Sequence, residues 1–291
     1  HLLPTAQWSR VRPTHQEGAT RTLEKEFTYE DDQNTAEWLL SHAKQQYQVA
    51  VISGSGLGGL AHKVTQAQTF DYSEIPNFLQ STAPSHACVV MQGRFHFYAG
   101  HMLKVMFSVK VFQLMDVDTI AANTAGGLSP KFKIRDLKVI HDHINISTQN
   151  PLAGPDDERF GNCFPSMSDT YDCNPRQRAH CLRQIGAQQE LPEGTSVTLG
   201  GANFVNTVMS SAAEAGADAF GMSTPEVIVA WYCGLRFDFS FITNKVIMNY
   251  ESLEKANYEE VLEPGEQAAW KLEQFVSILM ASILPSGIQV T

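Results

Sequence analysis

The chain has 291 residues, 43% of them hydrophobic, which suffices for one large α/β domain or two modest ones with a core that needs no covalent staples. Acidic residues number 31 against 21 Lys and Arg, and no long basic run offsets the formal charge of −10. Nucleic acid and anionic membranes are therefore excluded as expected partners, because the phosphate-neutralising term that drives such binding is missing.

Residues 1–26 lack the apolar core of a signal peptide and read as a poorly ordered leader, with one domain expected over 27–291. YEDDQNTAEWLLSHAKQQ, residues 29–46, is an acidic-started helix with Trp38, Leu39 and Ala43 on one face, and VAVIS after it is a strand. The pairing recurs along the chain. LKVMFSVKVFQLM is a helix before the strand DTIAAN, and NPRQRAHCLRQIGAQQ is a helix before TSVTLGG. NTVMSSAAEAGA then precedes DAFGMS, and TPEVIVAWYCG precedes the extended RFDFSFITNK. Residues 264–284 read as a further amphipathic helix, too short in its apolar run for the roughly 18 residues of a membrane span. Such alternation predicts one mixed or mostly parallel sheet flanked by helices, with ligands collecting at the carboxyl ends of strands. The cysteines Cys88, Cys163, Cys173, Cys181 and Cys233 form no CxxC pair, so they are read as reduced thiols and the protein as cytoplasmic.

Four short stretches carry chemistry. QVAVISGSGLGGLA runs from a strand into a glycine turn, and Gly54, Gly56 and Gly59 satisfy the dinucleotide pattern GxGxxG. That pattern also needs a second strand ending in an acidic residue about 20 positions on, where FDYSEIPNF places Pro76 instead. What remains is a turn whose amides approach an anion, with the Ser55 hydroxyl as a further donor. MQGRFHFYAG sets Arg94, His96 and Tyr98 at alternate positions of an extended segment, so a guanidinium fork and an imidazole share a face suited to a phosphate dianion. NTAGGL, residues 123–128, is a second glycine turn offering amides from Thr124 and Ala125, and Ser223 ends the strand DAFGMS. HDHIN places His141 and His143 on one strand face at a spacing metals use, but no other His and carboxylate cluster completes a site, and no metal is expected. PDDERFG reads as a solvated acidic loop.

AEWLLSH, GSGLGGLA, MQGRFHFY, AGGLSPKF, GPDDERFG, GADAFGMSTPEVIVA, ITNKV and ESLEKAN, in that order, resemble the mammalian-type, homotrimeric purine nucleoside phosphorylases from Phe27 to Leu284. The resemblance implies a single α/β domain, a mixed sheet with a distorted barrel flanked by helices. The implied reaction is phosphorolysis of inosine- and guanosine-like nucleosides to free base and ribose 1-phosphate, without a cofactor and with inorganic phosphate as co-substrate. Ser55, His86, Arg94, His96, the backbone at Thr124, and Ser223 would hold phosphate. Tyr98 and Met222 would lie against ribose and Phe204 against the base, with Asn244 bonded to the purine; Asn244 and His96 would stand at the chemistry.

The resemblance also marks departures. Val205 or Asn206 stands where the family carries a base-binding glutamate, Thr124 replaces an alanine, and Tyr258 replaces a histidine at the ribose 5′-hydroxyl. SHACVVMQG closes directly where the family has an additional strand and turn, and single residues are lost elsewhere. A one-residue loss within a strand reverses the facing of everything beyond it unless a bulge absorbs it. An active phosphorylase is therefore weighed against a pseudoenzyme of the same fold, and both against the dinucleotide-binding oxidoreductase.

Overall fold

The computed structural model describes residues 27–44, 49–53, 68, 70–78, 86–87, 90–92, 102–117, 119–121, 124–132, 137–147, 149–154, 156–171, 193–198, 210–237 and 239–245. The helix expected at 174–189 and that at 264–284 lie outside them.

Helix α1, Tyr29–His42, starts where a polar side chain can take up the loose amides of its first turn. Thr28 accepts from the Asp31 amide at 3.2 Å while Asp31 accepts from the Thr28 amide at 3.1 Å, a reciprocal cap. It stops at His42 rather than running to Gln46, since Gln68 claims the terminal backbone. Its amide donates to the His42 carbonyl at 2.6 Å, and its carbonyl oxygen accepts from the Lys44 amide at 3.1 Å.

The strands form two systems. In the first, β1 (Val49–Ser53) pairs in parallel with β4 (Val90–Gln92) and with β5 (Thr119–Ala121), and β10 (Arg236–Phe237) joins β5. The short strands β3 (His86–Ala87) and β2 (Phe70–Asp71) extend the β4 side in antiparallel pairings, completing the order β10-β5-β1-β4-β3-β2. In the second, β6 (Thr124–Gly127), β7 (Leu137–Asn145), β8 (Glu193–Thr198), β9 (Ala217–Gly221) and β11 (Phe239–Lys245) close into a ring, β11-β6-β9-β8-β7.

RFDFSFITNK is thus not one strand. Its first part stays in the open sheet and its second enters the ring, and the neighbouring run from β5 to β6 does the same beside it. Two adjacent parallel strands therefore carry the chain from sheet to barrel together, which lets one domain keep both. Three bulges regularise the ring: Thr243 on β11, His141 on β7 and Asp218 on β9 are each one residue more than the partner strand supplies.

Helix α2, Met102–Leu114, buries Val105, Phe107, Val109, Val111 and Phe112 because it is packed between α1 and another helix, α4 (Thr224–Tyr232). The short α3, Ser210–Glu214, leads into β9. Helix α4 is buried at every position but Trp231. It ends because Gly234 takes φ +73°, which an L side chain resists, and Leu235 and Gly234 donate back to the Ala230 and Trp231 carbonyls at 2.8 and 3.0 Å.

Two expectations are corrected here. NTAGGL is not a turn: Thr124–Gly127 is a ring strand, with Thr124 opposite Phe241 and Gly126 opposite Phe220. Gly126 answers to packing, since a Cβ there would lie 1.8 Å from Cε1 of Phe220. PDDERFG is not simply solvated. Tyr232 on α4 donates to Asp156 at 3.0 Å and to the Asp157 carbonyl at 2.7 Å, Phe160 is buried, and Arg159 lies 3.8 Å over the Tyr29 ring while pairing with Asp157 at 2.7 Å. The segment ties α1 to α4.

Candidate active site at the carboxyl edge of the sheet

Parallel strands deliver their following loops to one edge, and the registers here show which loops meet. Ser53, the last residue of β1, is level with Gln92, the last of β4. Ser55 and Arg94 each follow two residues later in sequence, from these two adjacent strand ends. The side chains of Ser55, Arg94, His96 and Tyr98 lie outside the described residues, as do Phe204, Val205, Asn206 and Tyr258.

His86 is placed by its backbone. The Ala87–Met91 pairing of β3 with β4, continued one residue, sets His86 level with Gln92, at the same edge from which Arg94 departs. The direct closure of SHACVVMQG thus leaves β3 paired antiparallel with β4, three residues separating Ala87 from Met91, and the backbone of His86 stays in the sheet.

The ring supplies the other wall. β6 runs antiparallel to β9 with Gly126 opposite Phe220 and Gly127 opposite Ala219; the same register continued sets Thr124 opposite Met222, next to Ser223. Because β5 ends at Ala121 beside Val51 and the chain reaches Thr124 three residues on, this junction abuts the carboxyl edge of the open sheet. The backbone of Asn244 on β11 is level with Gly126, immediately after the Thr243 bulge.

Ser223 lies beyond β9 rather than in it. It is the N-cap of α4, 5% exposed, with Pro225 in the first turn; its side chain makes no capping bond to that turn. The start of a nine-residue helix concentrates amide hydrogens and the positive end of the helix dipole, a setting for an anion. Met222, half-buried, packs against the main core and anchors the turn.

Two residues that sequence reasoning passed over join this corner. Thr198, the last residue of β8, is fully buried and level with Gly221, and its hydroxyl donates to the Thr224 hydroxyl at the start of α4. Their only sequence signals are a threonine closing the run GTSVT and another before Pro225.

The histidines of HDHIN are drawn apart in role. His141 is the bulged residue, exposed, with Nε2 3.4 Å from Thr195 Oγ1. His143 shares a 2.9 Å hydrogen bond through Nδ1 with the Tyr171 hydroxyl, and burial holds its pKa below the usual imidazole value. Among the described residues no group of three or more His, Cys, Asp or Glu is arranged to hold a metal ion. The dinucleotide pattern fails on topology: among the described residues the strand that next follows β1, β2, sits at the far edge of the sheet, antiparallel to β3, not in parallel beside β1. Among the described residues no helix is long and apolar enough to cross a membrane.

A parallel-edged sheet running into a barrel, with an anion-suited corner between them, defines the class: residues 48–281 match the Phosphorylase superfamily, and the chain belongs to it. Within that superfamily it is a member of the purine nucleoside phosphorylases. The purine nucleoside phosphorylase of Bos taurus is 60% identical over 282 residues, covering 90% of this chain and 98% of the bovine protein. Among solved structures, purine nucleoside phosphorylase of Schistosoma mansoni in complex with inosine aligns with a TM-score of 0.83 at 30% identity, covering 90% of this chain and 100% of that one. A purine nucleoside phosphorylase in complex with ribose 1-phosphate aligns at 0.78 and 29%, covering 89% and 98%.

Proposed function

We infer that this protein cleaves the N-glycosidic bond of inosine- and guanosine-like nucleosides with inorganic phosphate, giving purine base and ribose 1-phosphate. What supports the reading is the strand register: the ends of β1 and β4 lie side by side, and β6, which starts three residues after β5 beside β1, sets Thr124 opposite the turn that leads into the N-cap of α4. Phosphate is held there by Ser55, His86, Arg94, His96, the Thr124 backbone and Ser223. Ribose lies over it against Tyr98 and Met222, with Tyr258 at the 5′-hydroxyl. The base stacks on Phe204 within reach of Asn206 and Asn244.

Cleavage of this bond develops positive charge on the sugar and negative charge on the departing purine. A phosphate dianion fixed beneath the anomeric carbon stabilises the first and becomes the nucleophile, with His96 beside it. Asn244, which follows the Thr243 bulge on β11, donates to the purine as negative charge gathers there. Pre-orientation supplies much of the barrier reduction, since neither reactant needs to be chemically altered before they meet. The working unit is a homotrimer of one domain, 27–291, in the cytoplasm, with no metal and no organic cofactor.

One sequence feature favours a second reading. Val205 or Asn206 in place of a carboxylate removes a charged acceptor from the base pocket, which suits a catalytically impaired copy. Release of hypoxanthine from inosine and phosphate, followed in a coupled assay on protein shown to be trimeric by light scattering, separates the two. Phosphate-dependent turnover is expected; a folded trimer with none above background refutes the active reading.

A further inference from the structure

Ser223 owes its place to its neighbours. It follows a strand that has ended at Gly221 and precedes a helix that starts at Thr224, so two residues of turn decide where its hydroxyl stands. Helix α4 is buried along its length, its first-turn residues Thr224, Pro225 and Glu226 included, and under the proposed function that turn lies beside the phosphate. A side chain that ties this turn to the ring would hold the corner in shape between turnovers.

We propose that Thr198 is that positioning residue. β8 and β9 are parallel neighbours with Thr198 level with Gly221, so the Thr198 side chain lies beside the exit of β9. Thr198 is fully buried and Thr224 is 5% exposed, and the hydroxyl of the first donates to the hydroxyl of the second across 26 residues of sequence. The bond joins the end of a ring strand to the first helical residue of α4, with Ser223 and Met222 enclosed between the two anchors. A hydroxyl pair in so dry a place is directional: each group has few alternative partners, and losing one member leaves the other underbonded. Thr198 touches neither phosphate nor nucleoside; it acts through the Met222–Ser223 turn. The proposal rests on the reading of Ser223 as a phosphate contact.

Three variants test it in phosphorolysis of inosine. Thr198→Val keeps the shape and deletes the donor, and is expected to raise the KM for phosphate about five- to tenfold while moving the KM for inosine less than twofold, the loss of about one hydrogen bond's worth of binding. Thr198→Ser restores the hydroxyl and is expected to bring the phosphate KM back to within about twofold of the parent. Ser223→Ala is expected to raise the phosphate KM, and the double variant Thr198→Val, Ser223→Ala is expected to cost no more than Ser223→Ala alone, because the same contact is lost once. If Ser223→Ala leaves the phosphate KM unchanged, the reading of Ser223 fails. If Ser223→Ala raises it but Thr198→Val changes only the melting temperature, or if the two effects multiply, the positioning role is overturned. Should Thr198→Val not fold, Thr198→Cys, with a weaker donor in a similar volume, is measured against the same outcomes.

Discussion

Lys138 sits where a ring strand would be expected to carry an apolar residue. It is on β7, fully buried, its Nζ has no hydrogen-bond partner among the described residues, and the face of the Phe132 ring is 5.8 Å from it. Burial pushes the amine down from 10.5 to about 7; Asp218 opposes this and Lys131 adds to it. Because the folded value lies below the unfolded one, the unfolded chain holds the extra proton between these limits. Stability therefore rises with pH from about 7 to 10.5, and the full cost of the buried ammonium is borne below pH 7. At about 1.4 kcal/mol per pH unit the drop sets a ceiling of about 5 kcal/mol, which relaxation and water entry reduce to about 2 to 4. Lys138→Met preserves the unbranched stem and deletes the charge. It is expected to raise the melting temperature at pH 7 by about 5 °C or more, with the gain shrinking as pH increases and vanishing near 10.5. Scanning calorimetry of both proteins from pH 6 to 10 measures this. A variant that melts at or below the parent at pH 7, or two curves with the same pH slope, would refute the claim that burial of this amine costs more than Asp218 returns.

Asp32 gives the mirror-image pH dependence. Burial raises its carboxyl from 3.8 to about 7, Lys110 opposing, so the stability it contributes is full below pH 4 and lost as pH rises through 7. Asp32→Asn should flatten the melting curve between pH 4 and 7 and leave the slope above 7 to Lys138; an unchanged acid limb would count against it. Gly161→Ala places a Cβ 1.9 Å from the Tyr232 carbonyl oxygen, so the 156–161 segment must leave α4. A loss of about 1 to 3 kcal/mol and new proteolytic cleavage near Arg159 are expected, and an intact melting temperature would contradict the contact. Restoring a carboxylate, as Val205→Glu or separately Asn206→Glu, should improve kcat/KM for inosine about tenfold to a hundredfold at the position that faces the base. If neither does, the base pocket has been placed wrongly.

Much of this was legible along the chain because local physics wrote it there. The Thr28-to-Asp31 cap, the apolar runs of α2 and α4 and the glycine that stops α4 are short-range signals, and the strands VAVIS and TSVT announce themselves by composition. The blocks that carry the resemblance are likewise linear, and the family followed from them. What the tertiary structure decided is where strands go once formed. NTAGGL looks like a turn because glycines permit turns, yet in the ring they permit Phe220 to lie against the backbone. RFDFSFITNK looks like one strand because its pattern is unbroken, yet it serves two sheets. Thr198 and Thr224, Lys138 and Phe132, and the ends of β1 and β4 become neighbours only through register and ring closure, and pairing partners leave no trace in composition. Short-range preference names the pieces; long-range hydrogen-bond ladders determine which of them can touch one substrate.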